Sequence, residues 1–102
     1  MSTKITIIYD NPESPDVFEA GYPEQVTLAR RLPGVERIES ARVWPKENGS
    51  PTPAYRPLDL YFADYDAASK AVTTPEVAEL IPHIRNLATG GVRIVFADIE
   101  KS

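Results

Sequence analysis

Asp59 and Tyr61 stand two residues apart in the segment LDLYF (Leu58 to Phe62). In an extended chain alternate side chains share a face. The carboxyl and the phenol therefore stand together, opposite Leu58, Leu60 and Phe62. If the apolar three are core, the polar two face whatever lies beyond the sheet. A carboxyl in a semi-apolar enclosure has a raised pKa and can take up or return a proton, with the phenol as a hydrogen-bond partner. The plainer reading is an interface ion pair between Asp59 and Arg42 or Arg56. Trp44, Tyr22 and Phe96 supply aromatic walls for a small-molecule cavity, or else ordinary packing. Arg42 shares a strand face with Trp44, and Gln25 lies on the first helix. Both are placed to reach a cavity mouth.

Other chemistry has less to work with. His83 is the only histidine and cysteine is absent. Thiolate nucleophiles, disulfides and cysteine metal sites are thereby excluded, and one His without a spaced partner makes no metal site. His83 itself reads as a partly exposed helix residue flanking an apolar stripe. The "TGG" segment lacks the spacing and the lysine of a phosphate loop, and no dinucleotide fingerprint occurs. No metal or organic cofactor is expected.

The 102 residues carry a net charge of −4 and 42% hydrophobic residues. That length is one domain, 1–102. The acidic balance and scattered basic residues argue against nucleic acid and against an anionic membrane surface. Arg30 and Arg31, at the end of a helix, complement its dipole. The apolar stretch near the N-terminus is five residues long, too short for a signal peptide or a membrane span. A soluble, cytoplasmic protein is expected.

These residues need a frame. KITIIYD is β-branched and aromatic and reads as a strand. Ser14 caps a helix with Pro15 at its first position. Phe18, Tyr22, Val26, Ala29 and Leu32 form its apolar face. Gly21 and Pro23 predict a kink or broken turn near Gly21. "LPG" stops the helix. A second strand spans about Val35 to Trp44, followed by the proline-rich loop PKENGSPTP. The third spans about Tyr55 to Ala63. Asp64 caps a short helix and Thr74-Pro75 opens another, with Pro82 as a further kink point. VRIVFADIE is the fourth strand. The order is that of the ferredoxin-like βαββαβ unit, an α+β fold with helices on one face of a four-stranded antiparallel sheet.

The strands do not alternate cleanly. Ile5, Ile7 and Tyr9 oppose Ile8, and Val92, Ile94 and Phe96 oppose Val95 and Ile99. A sheet with one wet face would alternate. The second face therefore needs a cover, and a second copy of the chain is the simplest. Charges on the second strand (Glu36, Arg37, Glu39, Arg42) then lie at a partner's rim or in a shared cavity.

KITIIYDNPESPDVFEAGY, LARRLPGVERIESARVW, LDLYFADYDAASKAV with TTPEVAELIPHI, and LATGGVRIVFADIE together resemble the EthD family of the dimeric α/β-barrel superfamily. The resemblance implies a homodimer whose facing sheets form a barrel, with a hydrophobic small-molecule ligand in a cavity between sheet and helices. It implies a cofactor-independent oxidoreductase, cyclase or isomerase acting on an aromatic or polyketide-like compound. Asp59 and Tyr61 would be catalytic, with Tyr22, Gln25, Arg42, Trp44 and Phe96 binding substrate. EthD-like proteins commonly place a His followed by xPLA in the first helix. Here the segment is YPEQVTLA, and Gln25 or Val26 stands in the place of the His. An amide is no general base, so a non-catalytic binding or accessory protein is the alternative. A purely structural dimerisation module would leave the polar residues of the second and third strands without a purpose.

Overall fold

The computed structural model describes residues 2–100; the outermost positions of the 1–102 span lie outside the described residues. The element order is β1 (Thr3–Tyr9), α1 (Pro15–Arg30), β2 (Arg37–Ser40), β3 (Arg56–Phe62), α2 (Tyr65–Ala71), α3 (Pro75–Leu87) and β4 (Val92–Asp98). The four strands form one antiparallel sheet in the order β2-β3-β1-β4. This is the ferredoxin-like α+β architecture, with the central strands β1 and β3 contributing the most deeply buried residues.

Local chemistry sets the elements. The Ser14 hydroxyl accepts the Val17 N–H at the start of α1, with Pro15 following. Asp64 caps α2 through the Ala67 N–H at 2.8 Å. The predicted break near Gly21 does not occur: α1 runs through Gly21 and Pro23, and α3 runs through Pro82. Tertiary packing overrides the local cost. A Cβ at Gly21 would come within 2.9 Å of Leu87 Cδ2, so glycine is what lets α1 and α3 approach there. The core is built from Ile5, Ile7 and Tyr9 of β1, Leu58, Leu60 and Phe62 of β3, and the inner faces of the helices.

The second strand is shorter than the expected Val35–Trp44. Its register ends at Ser40 opposite Leu58. The next pair explains why. Ala41 N–H reaches Pro57 O at 3.1 Å, but proline has no N–H to return. The Ala41 carbonyl is taken instead by Arg56 Nη1 at 3.2 Å. Beyond it only Val43 N to Tyr55 O persists. β2 is an edge strand, so its charges face water and discourage pairing with another strand.

Candidate functional site

Register divides the proposed residues between the two faces of the sheet. Asp59 is opposite Thr6 and Glu39, and Tyr61 is opposite Lys4 and Arg37. These six lie on the face without helices. Thr6 donates to Asp59 Oδ1 at 2.5 Å, and Lys4 Nζ lies 3.7 Å from the same oxygen. The expected partners Arg42 and Arg56 are not those of Asp59: Arg56 at the start of β3 and Arg42 in the segment after β2 both pair with Glu19 of α1. Tyr61 donates to Glu39 at 2.5 Å, and Arg37 lies over its ring at 4.1 Å. Accepting its proton so closely, Glu39 holds the Tyr61 hydroxyl above the usual phenol range. Val95 and Ile99 of the β4 edge add exposed apolar surface.

The helix side gathers a different group. Gln25 is fully buried, and Tyr9 donates its hydroxyl to Gln25 Oε1. Gln25 Nε2 has no hydrogen-bond partner among the described residues. Burial pushes the hydroxyls of Tyr9 and Tyr22 up, which keeps both protonated. The Tyr22 hydroxyl meets Ser40 Oγ at 2.7 Å. Arg56 lies over the Tyr22 ring at 4.5 Å and grips Glu19 with two bonds, 2.9 and 2.7 Å. That grip holds the Glu19 carboxyl below the usual range and raises Arg56. Glu19 also accepts from the Tyr55 hydroxyl at 3.1 Å, and Arg42 donates to that hydroxyl at 3.3 Å. Phe18 packs its ring between Tyr9, Tyr22 and Tyr55.

Next to this cluster opens a groove of about 660 Å³, within the size range of small-molecule sites. Arg42, Trp44, Lys46, Pro51, Thr52 and Tyr55 are among its lining. Prolines 45, 51 and 53 stiffen the loop that shapes it. Asn11 anchors that loop by donating to Thr52 O at 2.9 Å, and Tyr55 N–H bonds Tyr9 O at 2.7 Å. Trp44, the only tryptophan, is 88% exposed here.

Of the expected ligand-binding residues, Arg42 and Trp44 line the groove, while Tyr22 and Gln25 are buried in the core and do not line it. Phe96 stands apart. Phe96 lies on β4 at the opposite edge and lines a void of about 40 Å³ between the sheet and α2–α3, large enough only for a water-sized occupant. Asp59 and Tyr61 do not line the groove and lie on the face without helices. His83 is off both regions: its Nε2 lies 3.4 Å from Glu24, across the α1–α3 contact. Glu19 and Tyr55 had no functional role in the sequence, and Arg56 entered only as a partner for Asp59. Glu19 and Arg56 are 37 residues apart, and only the β3 register brings them together. The one legible hint was Tyr55-Arg56 at the start of a strand. Among the described residues no group of three or more His, Cys, Asp or Glu could hold a metal ion, and no helix is long and apolar enough to cross a membrane.

No family model matches the chain. An uncharacterized 11.0 kDa protein of Rhodococcus erythropolis, from the thcB-thcC intergenic region, is 32% identical over 98 residues, 95% of this chain and 94% of that one. Among solved structures, an EthD family protein of Bacillus halodurans superposes with a TM-score of 0.88 at 20% identity, covering 98% of this chain and all of the other. SnoaB, a cofactor-independent oxygenase from Streptomyces nogalater, superposes with a TM-score of 0.66 at 16% identity, covering 99% of this chain and 94% of the other. The chain belongs to one family with the Rhodococcus protein, and its fold is the ferredoxin-like fold of the Bacillus EthD family structure.

Proposed function

We propose that the protein binds a hydrophobic, aromatic or polyketide-like molecule on the helix side of the sheet and acts on it without a metal or organic cofactor. The observation that carries this reading is the groove beside the Tyr22–Arg56–Glu19–Tyr55 cluster. It offers an exposed indole, a stiffened wall and a hydroxyl held between a guanidinium and a carboxylate. Tyr55 is the group positioned to exchange a proton with a bound ligand, and Glu19 orients its hydroxyl. The likeness in fold to a cofactor-independent oxygenase supports the absence of a cofactor.

The same proposal gives Asp59 and Tyr61 a different place. The open face, with Val95 and Ile99 exposed, meets the open face of a second copy, and the two polar residues are enclosed between the sheets. In that enclosure Asp59 is the polar centre, and it acts as acid or base only on a molecule that enters between the sheets. Light scattering on the purified protein should give twice the chain mass of 11.3 kDa. A monomer mass with a folded spectrum would remove the enclosure.

Heat-shift and turnover measurements across a panel of aromatic and polyketide-like compounds test the main reading. Binding with turnover that is lost in Tyr55→Phe supports it. Binding without turnover favours a second reading, a non-catalytic ligand-binding protein. Gln25 is the observation behind that alternative, since its amide can donate and accept hydrogen bonds but cannot take a proton. No binding by any compound would sink both.

A further inference from the structure

We infer that the groove selects ligands carrying a negative charge, a carboxylate or a phenolate on an aromatic frame. This deepens the proposed function and rests on the groove being the ligand site. The chain has 15 acidic and 11 basic residues, yet the groove lining holds Arg42 and Lys46 and no carboxylate. Glu19, the acid that touches the lining through Tyr55 and Arg42, is already spent, and Glu47, beside Lys46 in the same loop, does not line the groove. Glu19 is bound through two short bonds to Arg56, at 2.9 and 2.7 Å, while Arg42 reaches it only at 3.9 Å. One carboxylate thus serves two guanidinium groups, and a positive charge is left over at the groove side. Lys46 has no ion-pair partner among the described residues.

Geometry fits the same ligand. Arg42 donates through Nη2 to the Tyr55 hydroxyl, which leaves other donors of its planar fork for a bidentate anion. Trp44 presents an exposed aromatic face next to it. Tyr55, in contact with Arg42, adds a hydroxyl to the same lining. A flat anion would stack on the Trp44 indole with its charge toward Arg42 and Lys46. A neutral aromatic would keep the stacking and lose the charge-assisted hydrogen bonds, which are roughly twice as strong as neutral ones.

Calorimetric titration of the full chain with 2-naphthoate and with its neutral isostere 2-naphthamide tests this. The naphthoate should bind about tenfold or more tightly, an advantage that shrinks as salt rises from 50 to 500 mM through screening on the order of the Debye length. The double variant Arg42→Gln, Lys46→Gln should abolish the advantage while leaving naphthamide binding in place. Trp44→Ala should weaken both ligands. Equal affinities in the parent protein, or an advantage that survives the double variant, would overturn the anion selectivity and leave the aromatic groove standing. Binding of neither compound at millimolar concentration would overturn the groove itself, and the proposed function with it. Circular dichroism of each variant separates a lost fold from a lost site.

Discussion

Leu60 and Asp59 are adjacent in the chain and belong to different molecules in physical terms. Leu60 is buried against the helices with Ile5 opposite it on β1. Asp59 looks the other way, bonded to Thr6 and close to Lys4. The helix face holds the core and, at one end, an ion and aromatic cluster that opens into a groove. The open face holds a thin polar network set in exposed apolar residues of β4. The first face is covered by the helices except along β4, where Ile94 and Phe96 are 44% and 40% exposed. The second has polar groups that pair among themselves but apolar ones that nothing in the chain covers. The proposed function puts the ligand on the first side and association on the second.

The comparison breaks most visibly at the core. Leu60→Ala should cost about 2–5 kcal/mol in urea unfolding, the usual loss for a large aliphatic truncated in a packed interior. A loss below about 0.5 kcal/mol would mean that the faces have been assigned the wrong way round. Arg56→Gln comes next. It leaves Glu19 half-buried without its main partner, and about 1.5–3 kcal/mol should be lost, the range for a hydrogen bond to a charged group.

Glu19 sharpens the same point through pH. Its carboxyl is held below the usual range chiefly by the Arg56 hydrogen bonds. A depressed folded pKa adds stability above the unfolded pKa, and that stability is lost as pH falls through the folded one. The parent should therefore lose stability on acidification below the ordinary glutamate range. Glu19→Gln should flatten that part of the curve, measured as urea midpoint against pH. An unchanged acid limb would mean the pair contributes little.

Asp59→Asn should be milder, about 0.5–1.5 kcal/mol for one partly buried hydrogen bond. Trp44→Ala should be milder still, within about 0.5 kcal/mol, because an exposed side chain away from any cap or core contributes little to folding. Its effect belongs on ligand affinity. A large loss of stability in Trp44→Ala would make the indole a packing residue and remove it from the groove.

Much of this was legible in the chain. Period two in LDLYF placed Leu58, Leu60 and Phe62 against Asp59 and Tyr61, and the β3 register agrees. Ser14-Pro15, Asp64 and Thr74-Pro75 marked the three helix starts. Strand length was less legible. That β2 ends at Ser40 follows from the absent N–H of Pro57 on the neighbouring strand, which is visible only once the register is known. The uninterrupted α1 was hidden for a related reason. Gly21 and Pro23 are helix breakers locally, but the close approach of Leu87 makes glycine useful there. For the site, the residue types were readable and their grouping was not. Phe96 and Trp44 looked like walls of one cavity, yet they lie toward opposite edges of the sheet.

The division between the two faces can be put to one direct measurement, chemical-shift mapping by NMR of the labelled protein titrated with 2-naphthoate. The expected perturbations concentrate on Arg42, Trp44, Lys46 and Tyr55, extending inward to Tyr22 and the Gln25 side-chain amide. Perturbations centred instead on Thr6, Asp59 and Tyr61, with the groove silent, would place the ligand between the sheets and contradict the account.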